Sequence, residues 1–249
     1  MTNADTPARD HAMTGADLPL GDRAMPRDAT PGHRAMSAAI LAGGRSTRMG
    51  TNKAVLPFDG VRIIDGLLRK LRPLFPEVLV IANDRDAYAD MGVPVFPDRI
   101  PEKGSLGGIY TAVFHSTFPQ TFCIACDMPL ANPAVIAYLR DQASTYDVVV
   151  PRTADGYQPL HAVYGKACLP HMEAMIRADR LKIDRLFPMV RVRTVAEEEL
   201  RPLDPSLCGF INVNTREELE TAARLAAQGE DEIRQRQGQP GRSGRGRHD

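Results

Sequence analysis

The residues best suited to chemistry stand at the ends of apolar runs. LAGGRSTRMG, residues 41–50, is followed by Thr51, Asn52 and Lys53. The adjacent glycines Gly43 and Gly44 let a backbone come close to a ligand, and successive N–H groups in such a loop can cradle an anion. Arg48 and Lys53 add fixed positive charge. The pattern is neither the Walker A loop nor G-x-G-x-x-G, so it is a different anion loop or a plain glycine turn. Asp127, in ACDMP, puts a carboxylate at the tip of another apolar run, just before Pro129. Facing a phosphate-binding loop it is a natural Mg²⁺ ligand, because Mg²⁺ in phosphate sites takes one or two carboxylates plus substrate oxygens. The competing role is a turn cap. Asn83 and Asp98 end two further runs and could read a base edge or a ribose hydroxyl, or simply serve turns. Gly104-Ser105-Leu106-Gly107-Gly108 reads as a second close-approach loop ahead of a helix N-terminus, suited to an anion or a base.

These residues can meet only if the runs between them form a sheet. Residues 37–42, 78–82, 93–96, 122–126 and 147–150 are short, apolar and bounded by turn residues, as buried strands are. Ile63, Ile64, Leu67, Leu68 and Leu71 recur at helical spacing. Further helices are predicted over 84–91, over 108–117 and after Asn132, an N-cap followed by Pro133 at the first helical position. Residues 160–164 and 190–196 are further strand candidates, the latter at an edge, and 210–213 is read as a last strand. Thr215 and Glu218 then form a capping box for a final helix. This alternation predicts an α/β fold, Rossmann-like, with a mainly parallel sheet and helices on both faces. Strands such as VLVIA and DVVV are apolar throughout, as two-sided burial requires. Ligands of such sheets bind beyond the carboxyl ends of the strands, where Gly43, Asn83, Asp98 and Asp127 all arrive.

Composition narrows the field. The 249 residues carry 31 Lys and Arg against 31 Asp and Glu, a net charge of zero. That argues against a nucleic-acid binder, which needs a basic footprint. No apolar run reaches the roughly 18 residues of a membrane span. Cys123 and Cys126 form a C-x-x-C, but on a strand positions i and i+3 face opposite ways. With Cys168 and Cys208 isolated, buried thiols of a cytoplasmic protein are expected rather than a metal or disulfide site. Residues 1–35 and 228–249 lack any apolar period; the first is expected to be a disordered extension, or to precede a true start near Met36, and the second a flexible tail. A single domain over 36–227 remains. His161 is either a core histidine or a cleft contact, and His115 and His171 are expected to be structural. Arg180 and Lys182 are either a solvated face or contacts to an acceptor phosphate.

LAGGRSTRMG with Lys53, VIAND, VFPD, GSLGG, ACDMP, QPLHAVY and INVNT, in this order, resemble the molybdenum cofactor guanylyltransferases, members of the nucleoside-triphosphate transferase family. The resemblance runs from about residue 36 to 227. It implies a nucleotide-diphospho-sugar transferase-like fold and transfer of GMP from GTP to molybdopterin, with release of pyrophosphate. It implies that Leu41, Ala42 and Gly43 meet the nucleotide through backbone, that Lys53 contacts phosphate, and that Asn83 and Asp98 help recognise the nucleoside. Asp127 would hold Mg²⁺, and Asn212 and Asn214 would face the pterin. With Arg48, Lys53 and Asp127 as the catalytic set, GTP and molybdopterin are the implied partners, and molybdoenzyme maturation chaperones are conceivable ones. Asn52 departs from the family, where the residue before the lysine is usually Asp. The alternatives are a cytidylyl sister enzyme using CTP and a non-catalytic GTP-binding module that hands the cofactor on.

Overall fold

Burial on both faces shapes the central strands. In the computed structural model, which describes residues 35–43, 57–58, 61–213 and positions 215, 217–218, 220–221 and 224–225, the first strand, β1 (Ser37–Leu41), is buried at every residue. Its side chains alternate: Ala38 and Ile40 enter one core layer, Ala39 and Leu41 the other. This is the period-two geometry of a strand applied to a sheet covered twice.

The chain continues through β2 (Pro57–Phe58), β3 (Val61–Arg62), α1 (Ile63–Leu71), β4 (Glu77–Ile81), β5 (Val95–Phe96), α2 (Gly104–His115), β6 (Gln120–Ala125) and α3 (Pro133–Asp141). It ends with β7 (Val148–Thr153), β8 (Gly156–Tyr157), β9 (His161–Gly165), α4 (Leu169–Arg177), β10 (Val192–Ala196) and α5 (Glu197–Leu200). The main sheet runs β10-β7-β9-β6-β1-β4-β5, with β8 added to β7. The pairs β10–β7, β6–β1, β1–β4 and β4–β5 are parallel, and β9 lies antiparallel to both neighbours. The sheet is thus mainly parallel, as expected. Helices α1 and α3 share one core layer, through Ile64, Leu67, Leu68 and Leu71 and through Val135, Ile136 and Leu139. Helices α2 and α4 share the other, through Leu106, Ile109 and Val113 and through Met172, Met175 and Ile176. Each such side chain is worth about 1.5–3 kcal/mol over leaving it in water.

Several local expectations are realised in detail. Asn132 accepts from the Ala134 N–H at 2.9 Å, capping α3 with Pro133 in its first turn. The Thr215–Glu218 box closes both ways, at 3.0 and 3.1 Å.

Three expectations are corrected. Residues 210–213 form no strand: a 3-10 turn over Cys208–Phe210 runs into irregular chain. The Val213 N–H that a strand would spend on a neighbour donates instead to the Asp127 carbonyl, at 2.7 Å. The helix expected over 108–117 begins at Gly104 and ends at His115, so GSLGG is its first turn and a half. Residues 84–91 contain a 3-10 helix only over Asp86–Met91. The readings placed on Arg48, Lys53, Asn214, residues 1–34 and the 228–249 tail fall outside the described residues.

Candidate functional site

The site is built where β1, β4, β5 and β6 reach their carboxyl ends. Hydrogen bonds carry the strand register one residue past the strands: Ala42 N–H donates to Ile81 O at 2.9 Å, and Cys126 N–H to Leu41 O at 3.1 Å. The tips of β4, β1 and β6 therefore emerge side by side, in that order.

Asn83 and Asp98 form one unit. The Asn83 amide donates to Asp98 Oδ2 at 3.1 Å, and its oxygen accepts from the Asp98 N–H at 2.9 Å. This reciprocal clamp fixes the aspartate beside the glycine turn. A Cβ placed on Gly43 would lie 3.6 Å from Asp98 Oδ2. One placed on Gly108 would lie 3.7 Å from Leu41 and 4.0 Å from Asp98 Oδ1. Leu41, Ala42, Gly43, Asn83 and Asp98 thus share one corner, with the start of α2 behind it. The next residue is also tied to α2: Arg99 N–H donates to the buried Thr111 hydroxyl at 3.0 Å, which in turn donates to Gly107 O at 2.8 Å.

The two inner glycines of GSLGG serve packing. A Cβ on Gly107 would stand 2.8 Å from Lys103 Cβ and 3.4 Å from Ile100 O. Left-handed backbone sits just ahead of them, strained at Glu102 (φ 60°) and freely adopted at Gly104 (φ 56°).

Asp127 stands two residues beyond β6, half-exposed. Its carbonyl accepts the Val213 N–H at 2.7 Å, which seats residues 211–213, with the exposed Asn212, against the tip of β6. Asp127 and Asn212 are thus brought together, one strand away from the Gly43 corner. Among the described residues, no three of His, Cys, Asp and Glu gather closely enough to cage a metal ion. One hard carboxylate at a strand tip fits Mg²⁺ shared with substrate oxygens, not a closed all-protein site.

His161 opens β9 beneath this region, opposite Ile124. It is fully buried, and neither ring nitrogen has a hydrogen-bond partner. It meets Phe122 edge-on at 5.3 Å and Phe210 at 4.8 Å, so it supports the 208–213 segment from below as a core residue. Burial, with the like charge of Lys70, pushes its pKa down to about 3. His115 stacks on Phe96 at 4.1 Å behind β5, and Lys182 pairs with Asp184 at 2.7 Å.

One residue escaped the sequence reading. Lys70, in the last turn of α1, donates to Pro129 O at 2.8 Å and Ala131 O at 3.0 Å. A lysine late in an amphipathic helix ordinarily reads as solvated, and no local spacing signals its distant partners.

Polar groups gathered beyond the carboxyl ends of a mainly parallel sheet mark the ligand-binding side of an α/β protein. Its fold is that of the nucleotidyltransferases: a 4-diphosphocytidyl-2C-methyl-D-erythritol synthase from Anaerococcus prevotii superposes with a TM-score of 0.56 at 12% identity, covering 77% of this chain and 97% of that one. The family is more specific. Residues 38–192 match the MobA-like NTP transferase domain, and the chain belongs to that family, alongside the molybdenum cofactor guanylyltransferases. A probable molybdenum cofactor guanylyltransferase of Pelotomaculum thermopropionicum is 38% identical over 190 residues, covering 76% of this chain and 93% of that one. The structure of molybdopterin-guanine dinucleotide biosynthesis protein A from Archaeoglobus fulgidus gives a TM-score of 0.65 at 26% identity, covering 78% of this chain and all of that one.

Proposed function

We propose that this nucleotidyltransferase moves GMP from GTP to the terminal phosphate of molybdopterin and releases pyrophosphate. The observation that carries the reading is the bond from Val213 N–H to Asp127 O, 2.7 Å long. It seats residues 211–213, which this reading assigns to the acceptor side, beside Asp127 at the tip of β6, one strand from the glycine turn of β1.

The chemistry follows from charge. An acceptor phosphate must attack the α-phosphorus of a triphosphate in line, and both partners are anions. Lys53 and Arg48 neutralise the triphosphate and the leaving pyrophosphate. Leu41, Ala42 and Gly43 hold the nucleotide through backbone groups, and the Asn83–Asp98 pair reads the nucleoside. Asp127 would hold Mg²⁺, which when bound withdraws charge from the phosphates and aligns them. Asn212 and Asn214 orient the pterin. Catalysis of this type is mostly positioning and electrostatics. A general base is unnecessary, because the acceptor phosphate is already ionised at neutral pH.

Residues 36–227 form the transferase domain in this account. The protein works in the cytoplasm, with molybdoenzyme maturation chaperones as its protein partners. Among the described residues no helix is long and apolar enough to cross a membrane.

The test is product identity. Purified protein incubated with GTP, molybdopterin and Mg²⁺ should yield the guanine dinucleotide by mass. Molybdopterin recovered unchanged, with GTP bound but intact, would overturn transfer in favour of a handover module.

A further inference from the structure

Asp127 lies in a connection, residues 126–132, with little backbone support of its own. Met128 N–H donates back to Ala125 O of β6 at 3.3 Å, and within the connection Ala131 N–H donates to Met128 O at 3.2 Å. Two of its carbonyls, on Pro129 and Ala131, are instead held by one ammonium, Lys70 Nζ, at 2.8 and 3.0 Å. Lys70 is half-buried, and burial lowers its pKa. Taking an ammonium partly out of water is costly, and these partners are neutral oxygens, which offset that cost less than a carboxylate would. An apolar side chain would avoid the penalty but leave both carbonyls without this donor.

The other anchors of the connection come from β1, where Leu41 O accepts the Cys126 N–H at 3.1 Å, and from the C-terminal side. Val213 N–H holds the Asp127 carbonyl at 2.7 Å. Gly209 packs so tightly that an added Cβ would stand 3.1 Å from Asn132 N and 3.5 Å from Ala131 Cα. Around position 127, α1 and residues 208–213 thus add to the hold that β1 has on Cys126, and α1 is the element that takes the two carbonyls just beyond the carboxylate.

We propose that Lys70 is a positioning residue for the transfer reaction, fixing the Asp127 carboxylate through the carbonyls of Pro129 and Ala131. The proposal rests on the reading of Asp127 as the metal-binding carboxylate. Lys70 touches no substrate in this role. It acts on where the metal sits, and so on kcat more than on nucleotide affinity, which the separate Gly43–Asp98 corner supplies.

The experiment compares Lys70→Met, Lys70→Gln and Lys70→Arg with Asp127→Asn in the full-length protein. It measures Mn²⁺ binding by electron paramagnetic resonance with GTP present, kcat and KM for GTP, and Tm. Lys70→Met should weaken Mn²⁺ binding and lower kcat by about tenfold each, the scale for groups that orient a metal ligand. The KM for GTP should stay within about twofold, and Lys70→Arg should recover most of both losses. If Lys70→Met does not fold, Lys70→Gln, which keeps a donor at shorter reach, carries the same comparison. A folded variant with a lowered Tm but parental Mn²⁺ binding and kcat overturns the proposal, because a purely structural lysine gives that result. Unchanged Mn²⁺ binding in Asp127→Asn would instead refute the metal reading of Asp127 itself and take the Lys70 proposal with it. Weakened binding in Asp127→Asn alone removes only Lys70.

Discussion

At the level of single residues, charge decides. If Asp127 and Lys53 neutralise the triphosphate as proposed, Asp127→Ala and Lys53→Ala each lower turnover by about 10²–10³, the scale for one key electrostatic partner. Steady-state rates of the folded variants check this, and near-parental turnover in either removes that residue from the mechanism. The proposal gives Asp98 a different task. Asn83 holds it from two sides, at 3.1 and 2.9 Å, so a carboxylate oxygen is aimed rather than free to swing. Asp98→Ala is expected to raise the KM for GTP by about 10-fold or more, the worth of a charged hydrogen bond, with less effect on kcat. Both positions were legible from the sequence because each ends an apolar run, and strand ends meet at one edge of a parallel sheet. Lys70 was not, because its partners lie in a connection that only the packing of α1 brings near.

His161 gives a residue-scale prediction on stability. Its pKa is depressed from 6.5 to about 3 by burial and by the like charge of Lys70. As pH falls below about 6.5 the unfolded chain gains a proton there and the folded chain does not, so stability falls until about pH 3. His115, lowered by burial and by Arg99, acts in the same direction. Asp147, held low by Arg191, is lost only further down, as pH falls through the carboxylate range. His161→Phe should therefore lose less Tm than the parent between about pH 7.5 and about pH 5. Equal losses in parallel melts would contradict the account.

Among the elements, the 208–213 segment joins stability to function. Gly209 N–H donates to the buried Asp204 at 2.9 Å, and a Cβ at Gly209 would press on that same carboxylate oxygen at 2.9 Å. Gly209→Ala is expected to cost about 1–3 kcal/mol, as overpacking does, and to lower turnover by displacing residues 211–213 from Asp127. Denaturant unfolding and rates measure the two effects separately. The sequence showed the apolar character of 210–213 but not its conformation. A short apolar run reads as a strand, and here its N–H is spent on the Asp127 carbonyl rather than on a neighbouring strand. The glycines of GSLGG misled in the opposite way. Glycine inside a helix is disfavoured and so suggests a loop, whereas α2 uses Gly107 and Gly108 to approach Ile100, Leu41 and Asp98. The long amphipathic and fully apolar runs were legible because burial on one or two faces leaves a period in the side chains.

For the whole molecule, the doubly covered sheet and the family match over residues 38–192 agree. In the proposed reading, base choice rests on few contacts in the Gly43–Asp98 corner. The decisive measurement is pyrophosphate release by the purified protein with Mg²⁺ and molybdopterin, comparing GTP, CTP, ATP and UTP. Release with GTP, dependent on molybdopterin and far above the other three, is the predicted result. Release with CTP instead would keep the fold and the Asp127 chemistry but overturn the guanylyl assignment, and no release with any nucleotide would contradict the account of an enzyme.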